Sequence, residues 1–372
     1  MTKKFSEQAF DPLLPGQFFD MCGPTSGLNL DECYERMSGP PTIMWDVTNR
    51  CNLDCLHCYN QSGSSPAVGD LDTAKMMGIA EQIVEVEPFV VCMCGGEPLL
   101  RRDLEQLVTF LRREVSHVNM VSNGWLLTPD RLKSLREAGI DSIQISLDGA
   151  SPLTHDNIRG VPGAWKRAVD AIRLLVDAGL RPPVTLIPHR LNYLEIEEWG
   201  QFCRELGVLT LRLMPIVPIG RAREHNDMLA LTASERLQIQ AALRRLRLRH
   251  ADLSIEWGDP MEHIYNFSDG DNTMRTYSME VRSDAKIVVS TYMPLVVGDL
   301  TRHRLKTYWD AGLADIWRHP KVREWASSLR SLDDFAAQSP QPWCGDDVLI
   351  DLVDERAGGV DTAGNDDSRG RA

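Results

Sequence analysis

Residues 51–58 read Cys-Asn-Leu-Asp-Cys-Leu-His-Cys and follow an apolar, strand-like run at residues 43–48. The stretch brings three thiols together, Cys51, Cys55 and Cys58, with no fourth cysteine nearby. Cysteine thiolates are preferred ligands of iron–sulfur clusters and of zinc, but a structural zinc site takes four protein ligands. The stretch therefore predicts an iron–sulfur cluster held at three corners with one iron left open. A zinc or disulfide loop is the alternative interpretation.

Four further motifs follow in order, each at the end of a strand-like run. They are Cys94-Gly95-Gly96-Glu97-Pro98, Ser122-Asn123-Gly124, Ile145-Ser146-Leu147-Asp148-Gly149 with Arg159 after it, and Arg212-Leu213-Met214-Pro215. Active sites of parallel barrels lie at the C-terminal ends of the strands. We therefore expect one rim to carry Cys51, Gly96, Ser122, Ser146 and Met214.

The cysteine spacing, with His57 beside the last thiol, and the Gly-Gly-Glu-Pro turn resemble the radical S-adenosylmethionine (SAM) superfamily. The resemblance implies an α/β fold, a partial (β/α)6 barrel with a smaller α+β C-terminal cap. It also implies one [4Fe-4S] cluster and SAM as cofactors. In this family the reduced cluster cleaves SAM, and the resulting 5′-deoxyadenosyl radical removes a hydrogen atom from the substrate. A flavodoxin- or ferredoxin-type protein is the implied electron donor.

The resemblance also assigns roles to single residues. It implies that Cys51, Cys55 and Cys58 ligate the cluster. It implies that the SAM contacts are Gly96 and Glu97 at the methionine amine, Arg159 at the carboxylate, Ser122 and Ser146 at ribose or carboxylate, and His57 and Met214 at adenine. A guanidinium suits a carboxylate because it can form two parallel hydrogen bonds. Glycines such as Gly96 are expected to let the backbone approach a ligand closely.

Composition favours an ordinary globular protein without a nucleic-acid partner. The 372 residues include 53 acidic and 40 basic side chains, a net charge of −13, which disfavours binding to a phosphate backbone. No apolar run reaches the length of a membrane span, and the N-terminus lacks the apolar core of a signal peptide. We therefore expect a cytoplasmic protein without a membrane partner. Cys92 and Cys94 alternate along one strand and are interpreted as small buried side chains.

Strand-like and helix-like segments alternate from residue 41, which is typical of parallel β/α units. The pattern predicts six strands, near residues 43–48, 89–93, 117–121, 142–147, 184–188 and 209–213, with helices between them. It predicts an N-terminal extension at 1–40, a radical SAM core at 41–225, a C-terminal region at 226–345 and a disordered tail at 346–372. After about residue 220 the alternation is expected to stop.

The C-terminal region resembles the SPASM or twitch extensions that hold auxiliary iron–sulfur clusters in many family members. The likeness lies in Val297-Gly298-Asp299-Leu300 followed by Tyr308-Trp309. Ser278, Ser290 and Thr291 stand about where thiolates are expected, and Cys344 is alone. Because an auxiliary cluster needs several thiolates, we expect a degenerate cap without one.

The substrate is the least determined part of the function. The main hypothesis is a small molecule, a sugar-like or nucleoside intermediate of natural-product (antibiotic) biosynthesis, changed by decarboxylation, epimerisation or elimination in a lyase or isomerase reaction. The alternatives are maturation of a ribosomally made peptide, and a catalytically silent binding protein. Six polar side chains near strand ends could touch the substrate, and Arg212 is the first choice for an anionic group; the others are Asp148, His155, Asp156, Arg190 and Arg221.

Overall fold

The computed structural model describes residues 37–66, 68–258, 260–261, 264–265 and 276–357. These residues build a single eleven-stranded sheet with helices between the strands. The strands are β1 Thr42–Thr48, β2 Val90–Gly95, β3 His117–Ser122, β4 Ser142–Ser146, β5 Val184–Leu186, β6 Thr210–Leu213, β7 Ser254–Trp257, β8 Ser278–Val281, β9 Lys286–Val288, β10 Leu295–Asp299 and β11 Val348–Leu349.

The helices follow the same alternation as far as β7 and then gather in the C-terminal region. They are α1 Thr73–Glu85, α2 Leu104–Leu111, α3 Pro129–Ala138, α4 Pro152–Arg159, α5 Ala164–Asp177, α6 Ile196–Glu205, α7 Arg221–Glu224, α8 Asn226–Leu229, α9 Ala233–Arg249, α10 Leu305–Asp310, α11 Pro320–Ser328, α12 Leu332–Ala337 and α13 Leu352–Ala357. Short 3-10 helices lie at Pro98–Leu100, Tyr193–Glu195 and Leu313–Arg318. In the described part of the chain, no helix has both the length and the apolar character to cross a bilayer.

Sheet order follows chain order from β1 to β7, and each neighbouring pair is parallel. The fold class is therefore confirmed as a partial barrel of parallel β/α units. The alternation was expected to stop after about residue 220, and this expectation is wrong. Helix α9 leads into β7, which pairs in parallel with β6 through Leu211 and Ile255 and adds a seventh unit.

The C-terminal region continues the sheet on its other side. Strand β8 pairs in parallel with β1, β9 and β10 follow in antiparallel order, and β11 lies parallel to β10. Strand β11 and helix α13 lie between residues 348 and 357, so the tail predicted from residue 346 begins too early. The predicted extension at 1–40 lies outside the described residues except for positions 37–40.

The two faces of the parallel strands differ sharply in polarity. Alternate residues face the helices and join the main apolar core, among them Ile43, Trp45, Val47, Val91, Met93, Val118, Met120, Ile143, Ile145, Val184, Leu211 and Leu213. The register places the opposite set on the concave interior face, namely Asp46, Cys92, Cys94, Asn119, Gln144, Ser146, Thr185, Arg212, Glu256 and Glu280. Parallel strands buried on both faces are normally apolar on both. The polar interior face is thus suited to a polar ligand.

Candidate active site

The loop that carries the three cysteines begins where β1 ends and is held by other loops of the same rim. The backbone amide of Leu56 donates to the carbonyl of Ile158 at 2.9 Å, and that of Asp54 donates to the carbonyl of Arg159 at 3.2 Å. The Arg221 guanidinium donates to the carbonyl of Cys55 at 2.9 Å. The loop conformation is therefore set by helices α4 and α7, far along the chain.

The three thiols lie in one small apolar cluster. Cys51, Cys55 and Cys58 pack with Leu53 and other apolar side chains, and Cys55 is buried. Burial and the neighbouring Cys55 thiol raise the pKa of Cys51 to about 12 and that of Cys58 to about 11. Neighbouring thiolates repel one another, so the three thiols can be ionised together only beside a metal cation.

Hydrogen-bond donors point at two of these sulfur atoms. An Asn123 side-chain amide lies 3.8 Å from Cys51 Sγ, and an Arg159 guanidinium nitrogen lies 3.7 Å from Cys55 Sγ. Donors of this kind favour the thiolate and tune a bound metal. The environment of the thiols thus matches the donor set of an iron–sulfur cluster with three protein ligands.

The turn after β2 is packed against the start of the cysteine loop. The amide of Gly96 donates to the carbonyl of Thr48 at 2.8 Å, and that of Glu97 donates to the carbonyl of Arg50 at 2.9 Å. A Cβ on Gly96 would lie 2.1 Å from the Arg50 carbonyl oxygen. The close approach of Gly96 to the backbone that follows β1 explains the glycine at this position, and its contact with a ligand stays a prediction.

Replacing Gly96 by alanine is expected to destabilise the protein by about 1 to 3 kcal/mol. The reason is that the Arg50 carbonyl must move to make room for the methyl group. The matched control is Gly78→Ala in helix α1, where an added Cβ meets nothing within 4 Å. That control should gain about 0.5 to 1 kcal/mol from helix propensity. Denaturant unfolding of both variants checks the opposite signs, and an equally stable Gly96→Ala protein would contradict the packing described here.

Glu97 is fully buried at the carboxyl end of β2. Its carboxylate accepts hydrogen bonds from the Ser122 hydroxyl at 2.8 Å, the Asn123 amide at 2.8 Å and the Leu99 amide at 3.1 Å. Burial raises its pKa to about 6 although these donors oppose the shift. The carboxylate is thus fixed in orientation and needs one further positive partner, which an ammonium group can supply.

Asp148, also fully buried, contacts both Arg159 and His57. Its Oδ2 atom lies 2.7 Å from Arg159 Nη2 and 3.3 Å from His57 Nε2. Burial opposes ionisation, but the positive charge of Arg159 and the His57 ring outweigh it and hold the pKa of Asp148 well below its usual range. Asp148 also accepts from the Ile187 amide at 3.0 Å, so the ion pair is anchored to the loop after β5.

Several buried nitrogen atoms around the thiols have no hydrogen-bond partner in the described part of the chain. They are Asn52 Nδ2, His57 Nδ1, Asn60 Nδ2 and Arg159 Nε. Buried donors without partners are costly, and a ligand that carries oxygen or nitrogen acceptors would satisfy them. The residues present therefore fit a zwitterionic ligand placed between Glu97 and Arg159.

The structure brings most, but not all, of the sequence-predicted residues into this network. Ser146 and Met214 lie at the ends of β4 and β6, and neither side chain hydrogen-bonds to the other candidates within the described residues. Arg212 lies on the interior face, 2.7 Å from Glu256 and 2.5 Å from the Gln144 side chain. Its guanidinium is thus already paired, which weakens its selection as an anion receptor.

Sequence reasoning missed three members of the site. Asn123 follows Ser122 directly, so its position at a strand end was the available signal. His189 lies with its ring centre 6.2 Å from that of His57, and burial lowers its pKa to about 3. Asn192 donates to the carbonyl of Asp148 at 3.0 Å. Neither His189 nor Asn192 belongs to a recognisable motif, and only the loop after β5 brings them here.

Comparisons with known proteins point to one superfamily. A family model described as the radical SAM superfamily matches residues 45–206. The AdoMet-dependent heme synthase of Methanosarcina barkeri is 32% identical over 191 residues, which are 51% of this chain and 55% of that protein. The PqqA peptide cyclase of Gluconobacter oxydans is 30% identical over 228 residues, which are 61% of this chain and 63% of that protein. The chain thus covers less than two thirds of each relative.

A solved structure shares the fold. Streptococcus suis SuiB bound to S-adenosylmethionine has a TM-score of 0.57 and 14% identity, with 79% of this chain and 69% of that chain covered. At this identity the likeness concerns the fold alone. The match to the family model includes the last part of β1, strands β2 to β5 and the three clustered thiols. Residues 45–206 are thus a radical SAM domain, of the superfamily that binds a [4Fe-4S] cluster and SAM.

Proposed function

We propose that this protein is a radical SAM enzyme that modifies a ribosomally made peptide. The observation that carries the chemistry is the convergence of three thiols beside a fixed carboxylate, Glu97, and a buried guanidinium, Arg159. When bound, the reduced cluster supplies the electron that cleaves SAM, and the 5′-deoxyadenosyl radical removes a hydrogen atom from the substrate.

The residues of the chain would bind and orient the two cofactors. Cys51, Cys55 and Cys58 would hold the cluster and leave one iron open. Glu97 would accept from the ammonium group of SAM, and the free Nε of Arg159 would donate to its carboxylate. The remaining SAM contacts would come from Gly96, Ser122, Ser146, His57 and Met214.

A peptide substrate is better supported than the sugar-like or nucleoside intermediate expected from the sequence. One curated relative is a peptide cyclase, and neither relative is named for a sugar or nucleoside. The specific expectations of a lyase or isomerase and of antibiotic biosynthesis have no support from these relatives. The heme synthase, at 32% identity, makes a porphyrin-like small molecule the second candidate substrate.

The remaining parts of the function follow from the same proposal. A flavodoxin- or ferredoxin-type protein in the cytoplasm would deliver the electron, since the cluster needs a low-potential donor. The C-terminal region, with Cys344 as its single cysteine, would act as a cap without an auxiliary cluster. Ser278 begins β8, and Ser290 and Thr291 follow β9, so oxygen atoms occupy the places expected for thiolates.

The proposal is tested by anaerobic reconstitution with iron and sulfide, followed by incubation with SAM and a strong reductant. We expect about four irons per chain, as for a single [4Fe-4S] cluster, and formation of 5′-deoxyadenosine. About eight or twelve irons would contradict the cap without clusters. A full cluster without any 5′-deoxyadenosine would instead support the silent binding protein.

The substrate class is tested separately with deuterated candidates. A short peptide encoded beside this gene and a porphyrin are each supplied in deuterated form, and the 5′-deoxyadenosine is weighed by mass spectrometry. Deuterium transfer from the peptide supports the proposed function. Transfer from the porphyrin alone would overturn the peptide assignment and leave the radical SAM chemistry intact.

A further inference from the structure

Two carboxyl groups face the barrel interior from neighbouring strands, β1 and β8. The register pairs Met44 with Glu280 and Met44 with Cys92, and Asp46 is the next interior-facing residue along β1. Asp46 and Glu280 therefore lie on one face, one step apart along adjacent strands. Asp46 pairs directly with Cys94 of β2, whose sulfur lies 3.5 Å from that of Cys92.

These carboxyl groups are buried without adequate partners. Asp46 is 1% exposed, and its Oδ2 atom has no hydrogen-bond partner among the described residues. Glu280 is half-buried, and the Thr291 hydroxyl stabilises its carboxylate, but its Oε1 atom has no hydrogen-bond partner among the described residues. A native structure rarely leaves buried carboxylate oxygen atoms unpaired, so two of them side by side indicate a ligand.

The nearby positive side chain, Arg282, is already paired with other carboxylates. Arg282 is close enough to influence both carboxyl groups, but it is paired with Asp347 at 2.6 Å and Asp284 at 3.1 Å. It also stacks on the Trp343 ring at 4.8 Å. One buried guanidinium thus serves four carboxyl groups, and the interior face carries an excess of negative charge.

The pKa shifts of Asp46 and Glu280 agree with this excess of negative charge. Burial, and then repulsion by Glu280, raises the pKa of Asp46 well above its usual value, although Arg282 opposes the shift. Burial raises the pKa of Glu280 to about 7. Cys92, Cys94, Tyr59 and Asp284 also interact with Asp46, and none of them supplies positive charge. The pair therefore binds either a proton or another cation.

We propose that Asp46 and Glu280 form a binding site for a single positively charged group of the substrate, an ammonium or guanidinium group, inside the barrel. The inference rests on the proposed function in one respect, namely that the barrel interior receives the substrate. An alkali metal ion carries the same single charge, and the experiment separates the two sources. Carboxylates bind ammonium groups through charge-assisted hydrogen bonds, which have a preferred direction. An alkali metal ion has no N–H group and binds a carboxylate through its charge alone.

The test measures the melting temperature of the full-length, cluster-loaded protein in n-propylammonium chloride, potassium chloride and n-propanol, at matched ionic strength for the salts. A ligand that binds only the folded state raises this temperature with concentration. We expect n-propylammonium to raise it more than either comparator, and the Asp46→Asn/Glu280→Gln double variant to lose the difference. Glu256→Gln is the control, because Arg212 already neutralises that interior carboxylate at 2.7 Å.

Each other outcome overturns the assignment. An equal effect of potassium chloride would assign the site to a metal ion. The same ammonium effect in the double variant, or no effect in the wild type, would remove the site altogether. These results are independent of the proposed function, which stands or falls on 5′-deoxyadenosine formation measured in the same preparations.

The pH dependence of stability provides a second readout that needs no ligand. A carboxyl group whose folded-state pKa is raised contributes stability at low pH and loses it as the pH rises towards that pKa. Relative to wild type, the double variant should therefore gain melting temperature as the pH rises from about 4, the ordinary pKa of a carboxyl group, to about 7, the raised pKa of Glu280. The groups facing the pair, Arg282, Asp284, Cys92, Cys94 and Tyr59, are unchanged in this comparison. A constant difference across this range would contradict the uncompensated pair.

Discussion

Cys55→Ala protein is expected to lose its iron–sulfur cluster and, with it, 5′-deoxyadenosine formation. Cys55 is the buried member of the three thiols and lies beside Arg159. Burial raises the pKa of Cys55, and the positive charge of Arg159 partly offsets this increase. Two thiolates cannot hold a cluster at three corners. The loss should exceed the roughly 100-fold that removal of an outer partner of a metal ligand costs. Iron content and product formation after anaerobic reconstitution measure both effects.

The matched control is Cys203→Ala in helix α6. Cys203 is equally buried but lies in the main apolar core, away from the cysteine loop. It should retain wild-type iron content and product formation, with only a modest loss of stability. A Cys55→Ala protein that still assembles a full cluster and cleaves SAM would refute the assignment of the three thiols.

Asp148→Asn protein is expected to be destabilised by about 3 to 5 kcal/mol, the cost of removing one partner of a buried ion pair. The substitution leaves the Arg159 guanidinium buried without a countercharge, since Asp148 is its partner at 2.7 Å. The amide keeps nearly the same shape, so packing changes little. Denaturant unfolding gives the free energy, and the apoprotein is used so that cluster loss does not contribute.

The pH dependence has a defined sign. The pKa of Asp148 is held well below its usual range, so its contribution is complete at neutral pH and is lost as the pH falls below about 4. The difference between wild type and variant should shrink accordingly in acid. Asp252→Asn, which removes the partner of Arg204 at the exposed surface, should leave the unfolding midpoint close to wild type. Equal effects of the two variants would contradict a special role of Asp148.

The succession of secondary structure was readable from local pattern alone. Strand β1 was expected over residues 43–48 and lies at Thr42–Thr48, because its alternate residues face the helices and are all apolar. Strand β7 was not expected as a seventh parallel strand, since the alternation was expected to stop after about residue 220. Its pairing with β6 depends on where α9 returns the chain after the segment that carries α7 and α8, and no local pattern specifies that return.

The candidate site was predictable where function depends on close spacing along the chain. Cys51, Cys55 and Cys58 share a loop, so their proximity needed no tertiary knowledge. The close packing of Gly96 against the Arg50 backbone could not be predicted, because Arg50 lies in the loop after β1, distant along the chain. Asp148 was recognised as a polar residue at a strand end, but its pairing with His57 and Arg159 depends on where α4 returns to the cysteine loop.

By itself, the sequence determined the cysteine loop, the order of the first six parallel strands and the resemblance to the radical SAM superfamily, since each follows from short-range spacing or periodicity. Only the tertiary structure decided which charges meet. It joined Asp148 to Arg159, and it set Asp46 of β1 beside Glu280 of β8, with Arg282 as a positive charge shared with Asp284 and Asp347. Strand register and the path of the connecting loops determine which charged side chains meet. Neither can be predicted from the residues next to a given side chain in the sequence.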